Sequence, residues 1–560
     1  MTHGVKAASM VTLSTMTSPP HTPILIVGGG PVGMNMALNL AYWETPCLIV
    51  NDQPDTPKHP QGNSHNARTM ENYRRLGIAD EIRTVGLPPD HCGDAICVTR
   101  INAHEMGRIV LPTNRERVTP GFHELDLTPE PNHRASQMFV EAVLKRHIDA
   151  SPLIDVRFGW RMLSFEQDDG GVRAEIENLS TGETVTVTAD YLVGCDGGQG
   201  SIRKSLGISY EGKSGKEVDF MMGQMLSIYF RAPTLYDIMQ TDAPWQFHCV
   251  NSDGRTSIVG LDGQGNFLSW AKLPAGADPD SVDPRPLIYA AVGEELPLEI
   301  ISSKPWTAGL SLVTERYSEN RVWLAGDSCH LFTPTGGFGM NTGVDDTSNL
   351  AWKLAAAHHG WGGAGLIASY EEERRPIAVR NLAQSYEIAE IKSAISVPDG
   401  LDDDTPEGAD KRKAYGERFM TDLAEEYGCI GIQLGAQYVG SSIIVDDGST
   451  PPKDDPYVFT PSATPGCRAP HAWLNDGRDP RSALFYHFGR GFTLLNLGEV
   501  ETKDIDSAAA KLGIPLKVLS ARKELLNLYQ APLTLIRPDQ YVCWRGTELS
   551  REELTTVTGN

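Results

Sequence analysis

The sequence predicts an α/β fold built on a doubly wound parallel sheet, and three stretches support this prediction. The apolar run ILIV at residues 24–27 leads into a glycine-rich turn, a helix-like pattern at residues 31–42 and a second apolar run at residues 47–50. This is the order of the first βαβ unit of such a sheet. The alternating segment TVTVTADYLVGCDG (184–197) and the apolar segment RVWLAG (321–326) predict two further strands, each ending in a glycine turn.

With 560 residues, the chain exceeds the size of a single core, so several domains are expected. The first residues are rich in Ser, Thr and Pro and lack an apolar signal-peptide core, whereas the stretch before the RVWLAG segment is rich in strand and turn patterns. The predicted units are a disordered leader (1–22), the parallel-sheet domain (23–208 and 313–395), an inserted mixed or antiparallel β-sheet domain (209–312), a connector (396–465) and a small α/β domain (466–560).

The composition argues against several classes of protein. A net charge of -23 disfavours binding to nucleic acid or to an anionic membrane through a basic face. No stretch approaches about 18 uninterrupted apolar residues, so no membrane span is predicted. The nine cysteines are scattered and form no CxxC pair, which favours a reducing compartment, and the cytoplasm is expected. No metal site is predicted.

The glycine turn has the pattern Gly28-x-Gly30-x-x-Gly33, with Pro31 opening the following helix. The first glycine permits the tight turn, the second lets a pyrophosphate approach the backbone, and the third lets helix and strand pack closely. The free N–H groups and positive end of the helix favour a phosphate at this point. The turn therefore predicts a dinucleotide site.

The end of the second strand departs from the usual dinucleotide pattern. An acidic ribose ligand is expected there, but the strand ends in LIVNDQ, with Asn51 at the expected position and Asp52 after it. Either Asn51 hydrogen-bonds the ribose, or Asp52 reaches it through a local shift. The sequence leaves both alternatives open.

Two more glycine-containing motifs follow, and together the three resemble one enzyme family. The segment CDGGQGSIRKSLG contains Asp196, Gly197 and Arg203, and LAGDSCHLFTPTGGFGMNTGVDDTSNLAWKLA begins at Leu324. In order and spacing over residues 22–390, the motifs resemble the single-component FAD-dependent aromatic hydroxylases of the p-hydroxybenzoate and phenol hydroxylase type. The third motif is the most specific, because the following residues fall where the family pattern puts them: Gly326, Asp327, His330, Pro334, Gly337, Gly339, Asn341, Asp346, Leu350, Trp352 and Lys353. The last hundred residues resemble the thioredoxin-like domain of the phenol hydroxylase branch.

The predicted cofactor contacts combine the residue chemistry with this resemblance. Asp327 is placed at a strand end to accept hydrogen bonds from a ribityl chain, and residues 334–341 form a backbone bed for a flat ring, above a helix whose positive end stabilises a reduced flavin. The resemblance adds Arg134 and Gln137 near the ribityl and pyrophosphate groups, and Asp196 and Arg203 for handling flavin and nicotinamide. The predicted FAD contacts are Gly28, Gly30, Pro31, Gly33, Asn51, Asp52, Arg134, Gln137, Asp196, Arg203, Gly326, Asp327, Gly337, Gly339, Met340 and Asn341.

The catalytic residues are harder to predict. Pro334 is expected to line the flavin face where oxygen reacts, and the resemblance places His65 near the substrate or the flavin ring. Tyr229, His248 and Trp245 lie in the presumed substrate sheet, and any of them could face the substrate ring. The predicted catalytic residues are His65, Tyr229 and Pro334.

The resemblance implies a complete reaction. NADH or NADPH reduces FAD, O₂ forms a flavin C4a-hydroperoxide, and one oxygen is transferred to the ring of a small phenolic compound. The chain has only one dinucleotide fingerprint, and similar enzymes lack a separate nicotinamide domain. The choice between NADH and NADPH stays open, and a homodimer is a further expectation.

Three other classes of protein fit the sequence less well. A disulfide reductase is disfavoured because Cys92 and Cys97 lie far from the first glycine turn and no second fingerprint follows. A halogenase would show a WxWxIP-like element, which is absent, and a non-catalytic scaffold would show eroded FAD motifs. The alternative that stays open is the same flavin chemistry on a polyketide, quinone or ketone, by epoxidation or Baeyer–Villiger oxygenation.

Overall fold

The computed structural model describes residues 19–213, 224–239, 242–273, 277–307, 310–475 and 480–560. Residues 1–18 of the expected leader lie outside these ranges. Within the described ranges no helix combines the length and the apolar character needed to cross a membrane.

The strands are, in chain order, β1 His21–Val27, β2 Cys47–Asn51, β3 Ser64–His65, β4 Ala95–Val98, β5 Glu105–Ile109, β6 His133–Arg134, β7 Ile154–Phe158, β8 Trp160–Asp168, β9 Gly171–Asn178, β10 Thr184–Gly194, β11 Tyr210–Lys213, β12 Gln224–Arg231, β13 Gln246–Asn251, β14 Gly254–Gly260, β15 Asn266–Lys272, β16 Glu299–Thr307, β17 Ser311–Thr314, β18 Ser318–Glu319, β19 Val322–Leu324, β20 His330–Leu331, β21 Phe492–Asn496, β22 Leu516–Ser520, β23 Leu533–Ile536 and β24 Val542–Gly546.

The α-helices are α1 Pro31–Tyr42, α2 Ala67–Arg75, α3 Ala79–Ile82, α4 Asn114–Val118, α5 Gln137–Ala150, α6 Ser201–Ser205, α7 Arg285–Val292, α8 Phe338–His358, α9 Ala364–Ala394, α10 Pro406–Tyr427, α11 Ile430–Leu434, α12 Lys503–Lys511, α13 Leu526–Tyr529 and α14 Arg551–Val557.

The main sheet has the parallel order β19-β10-β1-β2-β7, and β18, β9 and β8 extend it with antiparallel pairs. Its strand β1 is an apolar run in the interior, and Ile24, Leu25 and Ile26 are fully buried. Helix α1 packs against α5 and α8. The predicted α/β fold on a doubly wound sheet is confirmed.

A second sheet has the order β16-β12-β15-β14-β13-β4-β5. It is antiparallel except where β13 runs parallel to β4. Strands β4 and β5 precede the predicted insert (209–312). The second sheet therefore also contains residues that were predicted to belong to the parallel-sheet domain. One face buries Phe230, Phe247 and Phe267 in a core of its own.

The C-terminal part forms the sheet β22-β21-β23-β24, with helices α12 and α14. Its side chains enter the same apolar core as the main sheet, and Phe492 meets Trp352 of α8 edge to face, with ring centroids 5.9 Å apart. A buried ionic contact adds to this interface, since Glu373 of α9 accepts from Arg537 (2.9 Å) and from Lys353 (2.7 Å). The C-terminal unit is therefore fused to the main domain by packing and by charge.

The predicted connector contains an ordered helix, α10. Thr405 caps it by accepting a hydrogen bond from the N–H of Gly408 at 3.1 Å. The helix packs against β5 and buries Tyr415 and Phe419. It therefore forms part of the wall over the second sheet, which positions its last turn beside the site described next.

Candidate active site

A cavity of about 1640 Å³ lies between the carboxyl edge of the main sheet, the second sheet and helix α10. We call it the central cavity. Ligand sites in doubly wound folds occur at this edge of the parallel sheet. The predicted site residues that line it are Gly30, Pro31, Arg134, Gln137, Asp327, Pro334, Gly337, Gly339 and Met340.

The glycine turn fits a dinucleotide phosphate. A Cβ on Gly28 would lie 2.1 Å from the carbonyl oxygen of Cys195, and a Cβ on Gly33 would lie 1.9 Å from that of Gly28, so only glycine fits at either position. Gly30 has open space on its side-chain face, towards the central cavity. No side chain caps α1, so its first N–H groups are available to an anion.

Asn51 holds the turn in place. Its Oδ1 accepts a hydrogen bond from the N–H of Gly29 (3.0 Å), and its Nδ2 donates to the carbonyl of Gln53 (3.2 Å). Asp52 is exposed and accepts from the side chain of Gln53 at 3.1 Å. Neither residue lines the central cavity, so a ribose contact at either one stays a prediction.

The second motif fixes the start of α6. The Oδ2 of Asp196 accepts from the N–H of Ile202 at 3.1 Å, and burial raises the pKa of this carboxyl. Arg203 donates to the carbonyl of Ile208 at 2.8 Å. Both side chains are used within the protein, and neither lines the cavity.

The second and third motifs meet through Tyr210. The guanidinium of Arg203 stacks 4.1 Å from the centroid of the Tyr210 ring, and the Tyr210 hydroxyl donates to the carbonyl of Asp327 at 2.6 Å. The Asp327 side chain faces the cavity, and the surrounding protein raises the pKa of its carboxyl. Arg203 therefore contacts the Asp327 backbone indirectly, through the ring and hydroxyl of Tyr210.

A buried ionic network lies behind this turn. Asp346 accepts hydrogen bonds from the N–H of Gly326 (3.2 Å) and from Arg374 (2.8 Å), and it pairs with His330 at 2.7 Å. The side chains of Cys329, His330 and Asp346 lie close enough together to hold a metal ion, but burial raises the pKa of the Cys329 thiol well above the usual value. Because Arg374 already balances the charge of Asp346, the group fixes the position of Gly326.

The third motif builds a flat bed at the N-terminus of α8. Residues 332–340 line the central cavity, and Gly337 precedes the helix in the left-handed region (φ 65°). No side chain caps this helix of 21 residues, so its positive end is open to the cavity. Together with the glycine turn, this open end fits a flavin dinucleotide, whose phosphates and electron-rich ring both require such donors.

Comparison with known proteins agrees with this geometry. Residues 21–385 match the family "FAD binding domain", and residues 462–560 match "Aromatic-ring hydroxylase, C-terminal". The chain belongs to the FAD-dependent aromatic-ring hydroxylases. The predictions of an FAD cofactor, a nicotinamide reductant and a monooxygenase are thereby confirmed.

Individual relatives share nearly the whole length of this hydroxylase. A putative polyketide hydroxylase of Streptomyces halstedii is 32% identical, with 96% of each chain covered. The 2,4-dichlorophenol 6-monooxygenase of Delftia acidovorans is 29% identical, with 94% of each chain covered. The rebeccamycin biosynthetic enzyme RebC with reduced flavin has a TM-score of 0.86 and 37% identity, with 97% of this chain and 100% of that chain covered.

Asn341 clamps the flavin bed. Its Oδ1 accepts from the N–H of Asn66 (2.9 Å) and the hydroxyl of Thr69 (2.7 Å), while its Nδ2 donates to the carbonyls of Ser64 (3.0 Å) and Gly337 (2.7 Å). The amide is fully used within the protein, and the side chain does not line the cavity. The side-chain amide thus positions the bed, and the FAD contact expected of Asn341 stays a prediction.

Two of the three predicted catalytic residues lie away from the cavity lining. His65 is fully buried beside Tyr73, with ring centroids 5.9 Å apart, and burial lowers its pKa to about 4. Tyr229 packs against an apolar cluster that contains Trp245, and burial raises its pKa. His65 is enclosed and Tyr229 is half-buried outside the cavity lining, whereas Pro334 lies on the cavity wall, and the catalytic roles of all three stay predictions.

The cavity wall contains a cation–aromatic cluster, formed by Arg134, Trp245, Gln246, His248 and Tyr427. The Tyr427 hydroxyl donates to Gln246 at 3.1 Å and lies 3.2 Å from the Nε2 of His248. Burial raises the pKa of Tyr427 well above the usual value and lowers that of His248 to about 3, so both side chains are neutral. Tyr427 was missed because it lies in the predicted connector; the only signal was the helix-like segment that ends there.

Two further hydrogen-bonded groups lie at the cavity wall. His59 lies between the hydroxyls of Ser302 (2.7 Å) and Ser227 (2.9 Å), which fastens residues 59–64 to the second sheet. Gln137 lines the cavity while its Nε2 donates to Glu141 at 2.6 Å, and burial raises the pKa of Glu141 to about 7. Sequence reasoning did not find His59, since its serine partners lie far along the chain.

Proposed function

We propose that this hydroxylase inserts one oxygen atom of O₂ into the ring of a phenolic compound, with NADH or NADPH as reductant. One observation carries the proposal: a single cavity connects the flavin bed (residues 332–340) with a wall of aromatic side chains on the second sheet and α10. A flavin and a flat aromatic molecule can therefore lie in contact. When bound, FAD supplies the electrons and the activated oxygen.

The residues of the chain have separate tasks in this reaction. The glycine turn and α1 would hold the pyrophosphate, and Asp327 would accept hydrogen bonds from the ribityl chain. The N-terminus of α8 stabilises negative charge that develops at the bed. Phe332 and Phe338 line the same region and would limit the access of water to the bed.

A second candidate is oxygenation of a multi-ring polyketide. The volume of the central cavity, about 1640 Å³, exceeds the range of roughly 300–1,000 Å³ that is usual for ligand pockets. The space would accommodate a flavin together with a substrate of several fused rings. The similarity to a putative polyketide hydroxylase supports the same alternative.

We also infer a cytoplasmic enzyme that acts as a homodimer. All nine cysteines are free, and burial raises the thiol pKa of each of them, which suits a reducing compartment. Light scattering would measure the oligomeric state directly.

The test is an oxidation assay with purified, FAD-loaded protein. NADH and NADPH consumption is followed with simple phenols, hydroxybenzoates and hydroxyanthraquinones, and peroxide is measured in parallel. Ring-stimulated consumption, little peroxide and a product heavier by one oxygen would support the proposal. Stimulation by multi-ring compounds alone would favour the second candidate, and bound flavin without any response to a phenol would contradict the first.

A further inference from the structure

Arg134 differs from the other deeply buried arginines that face the interior of this protein. Four of those have at least one carboxylate partner, and they are Arg68, Arg374, Arg468 and Arg537. Arg134 is only 9% exposed, yet none of the described residues accepts a hydrogen bond from its guanidinium. Burying a charge without an acceptor is expensive. Arg134 lines the central cavity, so an anion bound there could supply the missing acceptor.

Aromatic rings fix the direction of this side chain. The guanidinium carbon lies 4.0 Å from the centroid of the Trp245 ring and 5.8 Å from that of Tyr427. Stacking of this kind leaves the edge of the guanidinium, which carries the N–H groups, free to bind an anion. Trp245 directly precedes β13, Tyr427 ends α10, and both rings line the central cavity, so Arg134 lies beside the aromatic wall that we assign to the substrate.

The backbone at Arg134 is held as well. Its N–H donates to the side chain of Asn114 (3.2 Å), which donates back to its carbonyl (3.3 Å), and β6 pairs with Ser64 of β3. A cation on a fixed backbone and a fixed aromatic surface is preorganised, which lowers the entropic cost of binding. Lys392, a second cation close to the cluster, is already paired with Glu426.

We propose that Arg134 binds an anionic oxygen, a ring carboxylate or a phenolate, on the aromatic substrate of this hydroxylase. The inference rests on the proposed function and narrows its substrate to aromatic acids and acidic phenols. It also moves Arg134 from the predicted FAD contacts to the substrate side of the cavity.

The test compares two probes that differ by one charge, 4,5-dihydroxyanthraquinone-2-carboxylate and its methyl ester. Their affinities for the FAD-loaded wild-type protein, R134M and R134K are measured by quenching of flavin fluorescence at constant ionic strength. A matched control, K272M, removes an exposed cation from the same cavity. FAD affinity and thermal stability are measured for every variant.

If Arg134 binds a carboxylate, R134M lowers the affinity for the acid by at least about tenfold and the affinity for the ester by less than about twofold. If it binds a phenolate, R134M weakens both probes alike and raises the pKa of the bound phenol. In either case R134K recovers part of the affinity, and K272M changes neither probe.

Three results would overturn the inference. R134M could bind both probes as tightly as the wild type, or it could lose affinity for FAD while keeping its affinity for the probes. The third such result is a wild-type protein that binds neither probe. Tight, Arg134-dependent binding without hydroxylation of any phenol would contradict the proposed function alone. The two proposals can therefore fail separately.

Discussion

The carboxylate of Glu426 accepts a hydrogen bond from the backbone N–H of Gly336 at 3.2 Å. Glu426 lies in the last turn of α10, and Gly336 lies in the flavin bed with φ 75°. Lys392 of α9 pairs with the same carboxylate and holds its pKa below the usual value. The helix that covers the substrate end of the cavity is thus bonded to the loop that carries the flavin.

Removal of this bond should loosen the flavin bed. E426A leaves Lys392 without its partner and should lower the free energy of unfolding by about 3 kcal/mol. The larger effect is expected on the coupling of NADH consumption to hydroxylation, because a loose bed admits water to the reacting oxygen. More peroxide should therefore form per NADH consumed. D422N, which alters a partly exposed ion pair of the same helix, is the control. Equal peroxide yields in the two variants would contradict the link.

Two glycines of the dinucleotide turn should respond differently to alanine. In G33A the new Cβ meets the Gly28 carbonyl at 1.9 Å, so the strand and helix must separate and the apoprotein should melt at a lower temperature. In G30A the Cβ enters open space, so the apoprotein should keep its melting temperature while FAD binds less tightly. Calorimetry of the apoproteins and FAD titration check both expectations; a stable G33A would show that the turn tolerates a side chain.

Stability should fall in mild acid because His65 is buried in its neutral form. Its pKa is about 4 in the folded protein and 6.5 when unfolded, so the unfolded chain takes up the proton first as the pH drops below 6.5. The folded state should lose about 3 kcal/mol from this residue between pH 6.5 and pH 4. Urea unfolding across this range should give a shallower pH dependence for H65N, and the same dependence for H123N at an exposed site. Identical slopes for H65N and the wild type would rule out the assignment.

Two of the ion pairs that join the main domain to the C-terminal unit should contribute unequally to stability. Arg537 is fully buried, so R537M removes the ionic partner of Asp539 and one of the two partners of Glu373, and it should lower the free energy of unfolding by about 3–5 kcal/mol. Arg490 and Glu44 are exposed, with Nη1 of Arg490 2.6 Å from Oε1 of Glu44, so R490M should change the free energy of unfolding by less than about 1 kcal/mol. Denaturant unfolding of both variants measures the difference, and similar losses would mean that burial does not set the strength of these pairs.

The sequence predicted those parts of the molecule that are set by local patterns. The first strand, the turn at Gly28 and the start of α8 are fixed by apolar runs and glycines within a few residues of one another. The surroundings of Arg134 were not predictable in this way, because Trp245 and Tyr427 reach it from distant elements. The same holds for His65, since a short motif does not reveal which side of a strand faces the cavity.

Helix α10 shows a second limit of sequence reasoning. Its helical pattern was visible inside a stretch rich in Pro, Gly and charge, but an amphipathic pattern does not identify the surface that the helix covers. The cavity wall, and with it Glu426 and Tyr427, became apparent only from the packing of α10 on the second sheet.

The apolar core shared by the main sheet and the C-terminal unit affects how the protein is made. Phe492, Trp544 and Leu554 belong to the same apolar core as Trp352, so the first domain to leave the ribosome emerges with part of its interior missing. We expect the nascent chain to stay open to chaperones until its last strands arrive, and to take up FAD only after synthesis is complete.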